Sequence, residues 1–219
     1  MLSRRYDDGV SDAPEGTKGE RSRRAVLDAA ILRFAREGYR STSVADIARD
    51  ANLSPTAAYA YFPNKEALFI AAVDEDAAAH IGEALTSVLD GHAPGDWRHL
   101  IATLLEALDR HPLARRVLAG LEPDFTVRLL GIGALEQLRK GVAELLHADQ
   151  VAGVVRADIE PTTIARGLVT IVISLLISLL QTGVGPEGAL SDEVVAVLDA
   201  SIHAPLPSAS RQDPARSRP

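Results

Sequence analysis

The segment from Ser43 to Tyr61 constrains the fold of this chain most, because it predicts two short helices joined by a tight turn. Ser43 and Asp46 have the spacing of an N-terminal helix cap with a carboxylate in the first turn. The apolar residues that follow recur at helical spacing and predict one buried face: Val44, Ile47, Ala48 and Ala51. Asn52 tolerates the left-handed backbone that a short interhelical turn requires. The first short helix is therefore expected at 44–51.

A second short helix is expected directly after this turn, at 55–61. Ser54 is a good N-cap, and Pro55 suits the first helical position, where no backbone N–H is needed. Asn64 can cap a further helix that begins at Lys65. Two helices joined by a short turn form a helix-turn-helix, whose second helix enters the major groove of DNA.

The run from Gly38 to Phe69 resembles the DNA-binding region of the TetR family of bacterial transcriptional repressors. The matching residues are Gly38, Tyr39, Thr42, Ile47, Ala48, Ala51, Ser54, Tyr59, Tyr61, Phe62, Lys65, Glu66, Ala67 and Leu68. The chain departs from the family's usual residues at Thr56, Ala57, Ala58 and Ala60, all on the second helix. The resemblance implies nine helices, a homodimer and a small-molecule pocket. The two-fold symmetry of a homodimer would present two reading helices to a palindromic operator.

The charge distribution agrees with a DNA-binding module attached to an acidic one. The net charge is −7, but residues 21–70 hold eight basic against five acidic side chains. Residues 71–219 hold twelve basic and twenty acidic side chains. The absence of cysteine argues against disulfides, thiol catalysis and zinc–thiolate sites, and the N-terminal region lacks the apolar run of a signal peptide. A cytoplasmic location is expected.

The hydrophobic pattern predicts an all-α protein with four segments along the chain. We expect a disordered N-terminal arm at 1–19, a helix-turn-helix DNA-binding domain at 20–66, a helical ligand-binding and dimerisation domain at 67–203, and a disordered tail at 204–219. Beyond 67, helices are expected at about 96–110, 112–120, 124–147, 162–181 and 191–203.

Candidate DNA contacts lie in the helix-turn-helix and the residues beside it. The predicted set is Thr42, Ser43, Ser54, Pro55, Thr56, Ala57, Tyr59 and Lys65. Thr56 and Ala57 occupy the first turn of the second helix, where side chains meet base edges. The resemblance implies that Tyr59 reaches a phosphate, and Lys65 offers a charge at a helix N-terminus. The alternative for Thr42 and Ser43 is that they only cap helices.

The run from Leu168 to Leu180 is strongly apolar but too short to cross a bilayer. A helix that is apolar all round is buried on every side. Its small residues Thr170, Ser174 and Ser178 recur every four positions. Together with Val194 and Leu198 of the following helix they predict a homodimer interface. The alternative is a core helix of a monomer.

The resemblance implies that the fourth to seventh helices, beginning with the one at Lys65, enclose a small-molecule pocket. Trp97, Phe125 and Arg128 are the predicted ligand-binding residues, and the ligand is expected to be a small hydrophobic molecule of unknown identity. The histidines show no close metal spacing and no phosphate-binding glycine loop occurs, so no catalytic residue, metal or cofactor is predicted. A rival interpretation is a helical ligand-binding or interaction protein that uses the helix-turn-helix only as scaffold; another is a transcriptional activator or architectural factor.

Overall fold

The computed structural model describes residues 17–91, 97–125, 128, 131–183 and 192–203, with the side chains of 88–91 and 97–100 left out. Within these ranges it contains nine α-helices, two short 3₁₀ turns and one isolated β-bridge. The helices are α1 Lys18–Ser41, α2 Val44–Asp50, α3 Pro55–Tyr61, α4 Lys65–Gly91, α5 Trp97–Ala107, α6 Pro112–Leu118, α7 Gly133–Val151, α8 Pro161–Thr182 and α9 Asp192–Ile202. The all-α prediction is confirmed.

Helix α1 begins at Lys18, two residues before the predicted start of the DNA-binding domain, because Thr17 and Glu20 form a reciprocal capping box. The predicted N-terminal arm lies outside the described residues except for Thr17, Lys18 and Gly19, which cap and open α1. The predicted tail at 204–219 also lies outside them. Regular α1 geometry is interrupted at Gly38, where φ is 80°, as expected of a glycine that ends a helix.

Helix α4 is the central element, since it packs against α1, α5, α6 and α7. Two of its carboxylates cap neighbouring helices. Asp76 accepts the N–H groups of Leu113 and Ala114 at the start of α6, at 3.0 and 2.8 Å. Asp74 accepts the N–H of Ala134 at the start of α7, at 2.8 Å. The predicted boundary at 66/67 falls inside α4, so one continuous helix connects the N-terminal helices to the rest.

Helix α7 begins at Gly133 instead of 124, the largest departure from the predicted helices. Pro123–Phe125 form a 3₁₀ turn, and Ile132 has the extended conformation of an N-cap residue. Phe125 contributed to the apolar periodicity that suggested one long helix. It lies in the 3₁₀ turn, and its side chain is buried there. A side chain can join the core without lying on a long helix.

Helix α8 buries one face in the protein, against α7 and α6. Its buried residues include Leu168, Val169, Ile173 and Leu176. Among the described residues α8 is also the one helix long and apolar enough to span a membrane, a test that the core helix of a soluble protein passes as well. Glu160 starts the helix by accepting the N–H groups of Thr162 and Thr163. Hydrogen bonds from the Thr163 side chain and from these N–H groups lower the pKa of the Glu160 carboxyl to about 2.

Candidate nucleic-acid interface

The turn between α2 and α3 has the predicted geometry. The Ser43 hydroxyl accepts the N–H of Asp46 at 3.1 Å and donates to its carboxylate at 2.6 Å, which lowers the pKa of Asp46. Asn52 has φ 56°, in the left-handed region. The N–H of Leu53 donates to the carbonyl of Ala48 at 2.8 Å, and the N–H of Asn52 donates to that of Arg49 at 3.0 Å. These two bonds form a Schellman motif that ends α2 and fixes the turn.

Helix α3 is held by its inner face and presents its outer face to solvent. The Ser54 hydroxyl caps it by accepting the N–H of Ala57 at 3.2 Å. Ala58 and Phe62 are buried in the core. Thr56 is exposed, and Tyr59 has half of its surface in solvent. The predicted base-contacting and phosphate-contacting side chains therefore share one accessible surface.

Thr42 differs from the other predicted DNA contacts. Its side chain is only 3% exposed, and its hydroxyl donates to the carbonyl of Gly38 at 2.8 Å. The hydroxyl is thus used inside the protein, at the end of α1. The alternative reading of Thr42 as a helix-end residue fits this geometry, and we leave its hydroxyl out of the contact surface.

Lys65 lies next to the end of α1 rather than extending into solvent. Its Nζ donates to the carbonyl of Thr42 at 2.8 Å and to that of Arg40 at 3.4 Å. The same ammonium lies 4.3 Å from the ring centroid of Tyr39. An ammonium has three donors, so two carbonyls leave one N–H for a further acceptor.

Several basic side chains around α1–α3 are engaged in ion pairs. Arg33 makes a two-point contact with Asp50, at 2.6 and 3.1 Å, which joins α1 to the end of α2 and lowers the pKa of Asp50. Arg49 pairs with Asp46 at 3.0 Å, and its side chain is largely exposed. The positive charge of this region therefore includes cations that stabilise the helix-turn-helix, such as Arg33, and exposed ones that can exchange partners, such as Arg49.

An aromatic and ionic cluster joins the N-terminal helices to the remaining ones. The rings of Tyr39 and Phe125 are 4.5 Å apart, and both rings contact Phe69. Beside them, Arg116 Nε donates to Glu122 at 2.8 Å. Phe125 was predicted to bind ligand; it instead packs in this cluster, because its ring completes the contact between α1 and α4.

A cavity of about 90 Å³ lies between α4, α5, α6, α7 and α8. Fifteen of the residues that the structure describes line it, and fourteen of these are apolar. They are Val73, Ala77, Ile81, Leu104, Ala114, Val117, Leu118, Ile132, Leu135, Leu138, Val172, Ile173, Leu176 and Ile177, with His80 as the polar member.

The cavity is not built from the residues predicted for it. Arg128 is exposed and pairs with Glu66 on the outside of α4. The Trp97 side chain lies outside the described residues. His80 was missed, although its spacing from Val73 and Ala77 places it on the apolar face of α4. A histidine on the apolar face of a helix was the sequence signal that could have identified His80 as a cavity residue.

The predicted dimer surface on α8 and α9 is only partly accessible. Thr170, Ser174 and Ser178 are exposed along α8, and Val194 is half-buried. Leu198 is buried in the protomer's own core, so we drop it from the interface. Val197, one position earlier, is 70% exposed. The helical phase of α9 thus turns Val197, and not Leu198, outward.

A capped helix-turn-helix with an exposed second helix, joined to a helical domain with an apolar cavity, defines a helix-turn-helix transcriptional regulator. The family model for bacterial regulatory proteins of the tetR family matches residues 26–72. The HTH-type transcriptional repressor Rv1474c of Mycobacterium tuberculosis is 30% identical over 182 residues, covering 81% of this chain and 89% of the relative. The chain belongs to the TetR family of bacterial regulatory proteins.

Another relative is also an HTH-type transcriptional regulator, and solved structures of TetR-family proteins have the same fold. The HTH-type transcriptional regulator YdgC of Bacillus subtilis is 28% identical over 196 residues, which cover 83% of this chain and 93% of YdgC. A TetR-family regulator from Mesorhizobium loti superposes with a TM-score of 0.66 at 22% identity, over 86% of this chain and 100% of that one. Thermus thermophilus FadR, a repressor solved with lauroyl-CoA, gives a TM-score of 0.61 at 24% identity, over 84% and 98%. At these identities the two structures establish the fold.

Proposed function

We propose that this protein is a cytoplasmic, homodimeric repressor that binds an inverted-repeat operator through α3 and leaves it when a small apolar ligand fills the cavity. The observation that carries the proposal is the two-sided character of α3. Ala58 is fully buried on its inner face, while Thr56 and Tyr59 are exposed on its outer face. A helix fixed in this way presents small side chains that can approach base edges closely.

The contact roles divide between specificity and positioning. Thr56 offers a hydroxyl and a methyl group to base edges, and Ala57 offers apolar contact with a thymine methyl. Tyr59 offers its hydroxyl to a phosphate. Ser43 and Lys65 flank the same surface and position the backbone of the operator. Ser54 and Pro55 act by starting α3 at the right point.

Dimerisation is required for the inverted repeat, because a two-fold axis presents two copies of α3 to two half-sites. The proposed interface consists of the exposed small residues of α8 with Val194 and Val197 of α9. Thr170 and Ser174 satisfy their own hydroxyls by donating to carbonyls one turn earlier, each at 2.8 Å. At these two positions the surface can meet a second copy without leaving a buried hydroxyl unpaired.

The ligand response is supported by the position of α6. Ala114, Val117 and Leu118 line the cavity. From the same helix, Arg116 reaches back to the carbonyl of Ala35 in α1 at 3.5 Å and pairs with Glu122. A ligand that favours a shifted α6 would therefore change the support of α1 and of the recognition helices, provided that it binds one arrangement better than the other.

The test is selection of bound sites from random duplex DNA, repeated at two salt concentrations. The expected result is one enriched inverted repeat, whose binding weakens as salt rises because phosphate contacts release counterions. The matched variants are Ala57→Glu, which places a carboxylate against the DNA, and Val151→Glu, at a site that is 79% exposed and far along the chain. Ala57→Glu is expected to lose all enrichment and Val151→Glu to keep it.

Failure to enrich any sequence with the folded wild-type protein would contradict the proposal. It would favour the alternative function, a helical ligand-binding or interaction protein. Enrichment combined with activation of a reporter gene behind the selected site would retain the DNA-binding function and replace repression by activation.

A further inference from the structure

The cavity wall limits the charge of what can bind there. The fifteen described residues that line it include no Lys, Arg, Asp or Glu. A charged group inside it would lose its hydration without gaining a partner of opposite charge. The ligand of the proposed repressor must therefore be neutral where it enters the cavity.

Among the described residues of this wall, His80 supplies the one polar side chain, and its hydrogen bond determines its tautomer. The ring is 5% exposed, and Nε2 lies 2.7 Å from the main-chain oxygen of Leu104. A carbonyl oxygen only accepts, so Nε2 carries the proton. Burial lowers the pKa of His80, which keeps the ring neutral. Its other nitrogen, Nδ1, is then a hydrogen-bond acceptor.

Nδ1 has no hydrogen-bond partner among the residues that the structure describes. The neighbouring His111, whose ring centroid is 5.4 Å away, directs its own nitrogens to Asp76 and Glu83 at 3.2 and 3.3 Å. A buried acceptor without a partner is costly, and such groups in proteins are normally satisfied by protein, water or ligand.

We infer that the cavity takes a neutral, largely apolar molecule that carries one hydrogen-bond donor, a hydroxyl or N–H, and donates it to Nδ1 of His80. The inference rests on the ligand-responsive part of the proposed function and narrows its chemistry. The donor fixes the orientation of the molecule, and the remaining atoms contact the aliphatic side chains of five helices.

The size of the cavity selects the probes. At about 90 Å³ it is smaller than the roughly 150 Å³ of an apolar cavity that accepts benzene, so the probes must be no larger than a single ring. Phenol and fluorobenzene have nearly the same shape, and phenol alone has a donor. In a cavity without an acceptor fluorobenzene would bind more tightly, because phenol would lose its hydrogen bond to water.

Calorimetric titration of the full-length protein with each probe tests the inference. We expect phenol to bind about tenfold more tightly than fluorobenzene. His80→Leu is expected to abolish or reverse this preference. His80→Gln keeps a donor for the Leu104 carbonyl and an acceptor for the ligand, and is expected to restore it. His111→Gln, the matched change at the adjacent histidine, is expected to leave the preference in place.

Equal binding of the two probes, tighter binding of fluorobenzene, or no saturable binding of either would overturn the inference. If His80→Leu does not fold, the relative affinities of phenol and fluorobenzene for the wild-type protein and for His80→Gln still test the inference. Operator binding measured on the same preparation distinguishes failure of the ligand inference from failure of the proposed repressor function. An intact operator preference with no phenol preference refutes only the ligand chemistry, whereas a phenol preference without operator binding refutes only the proposed repressor.

Discussion

The carboxylate of Glu122 accepts the main-chain N–H of Tyr39 at 3.0 Å, across 83 positions of sequence. The same oxygen accepts Nε of Arg116 at 2.8 Å. Tyr39 lies just after the break in α1, and Arg116 belongs to α6, which lines the cavity with Ala114, Val117 and Leu118. One buried carboxylate thus connects the cavity wall to the helices that support the DNA-contacting surface.

Replacing Glu122 by Ala is expected to destabilise the protein by about 2 kcal/mol, because a partly buried N–H and a partly buried guanidinium lose their acceptor. The measurement is urea unfolding followed by circular dichroism. Asp124→Ala is the matched control, since Asp124 also pairs with an arginine, Arg40 at 2.8 Å, but both side chains are largely exposed. The control is expected to leave the unfolding midpoint nearly unchanged. Equal effects of the two substitutions would contradict a special role for Glu122.

Gly38→Ala is expected to destabilise the protein more than Gly153→Ala. Both glycines have positive φ, at 80° and 78°, so both substitutions carry a backbone strain of about 1 kcal/mol. A Cβ at Gly38 would also come within 2.5 Å of Arg116 and 2.8 Å of Glu122, whereas nothing lies within 4 Å at Gly153. The difference in unfolding free energy between the variants isolates the cost of displacing this ion pair. No difference would show that the pair moves aside freely.

Tyr59→Phe and Thr56→Ala are expected to affect DNA binding in different ways. Loss of a phosphate contact weakens binding similarly on every sequence, whereas loss of a base contact changes the preference among operators. The measurement is the affinity of each variant for the selected operator and for single-base variants of it. Tyr61→Phe, on the inner side of the same helix, serves as control and is expected to bind like wild type. Sequence-independent behaviour of both exposed variants would refute this division of roles.

Ser174→Arg is expected to convert the protein to a monomer and to abolish operator binding. A long charged side chain on the exposed face of α8 would prevent close approach of a second copy. Sedimentation at micromolar concentration measures the state of assembly. Val151→Arg, at another exposed position, is expected to stay dimeric. Sedimentation of the wild-type protein as a monomer would refute the proposed dimer interface.

The stability is expected to fall as the pH drops below about 6.5, in part because of His80. Burial lowers the pKa of His80 in the folded protein below its value in the unfolded chain. The unfolded state therefore binds the proton first, and the contribution of His80 is complete above the unfolded pKa and is lost as the pH falls towards the folded one.

Urea unfolding of wild type and His80→Gln at pH about 7.5 and about 5.5 measures this contribution, in a window set by the unfolded histidine pKa. The stability difference between the two proteins is expected to shrink at the lower pH, since glutamine does not titrate. The carboxylates with lowered pKa, such as Asp46 and Glu160, titrate well below this window. An unchanged difference would mean that His80 takes up its proton equally in both states.

Interactions between near neighbours in sequence could be predicted from the residues alone. Ser43, Asn52 and Ser54 occupy the cap and turn positions expected of them, because their hydrogen-bond partners lie three residues away. Asn64 likewise caps α4 by accepting the N–H of Ala67 at 2.7 Å. Local hydrogen bonding and helix periodicity are therefore sufficient to identify the helix-turn-helix and the all-α fold.

The tertiary structure decided which side chains remain available for function. Lys65 is held by the carbonyls of Arg40 and Thr42, 25 and 23 positions away, and Phe125 packs on Tyr39 instead of lining the cavity. The phase of α9 buried Leu198 and exposed Val197. His80 became the polar group of an apolar cavity only because five helices converge around it. Sequence determined the helices and their caps because those depend on neighbouring residues, whereas burial and partner choice depend on distant segments that only packing brings together.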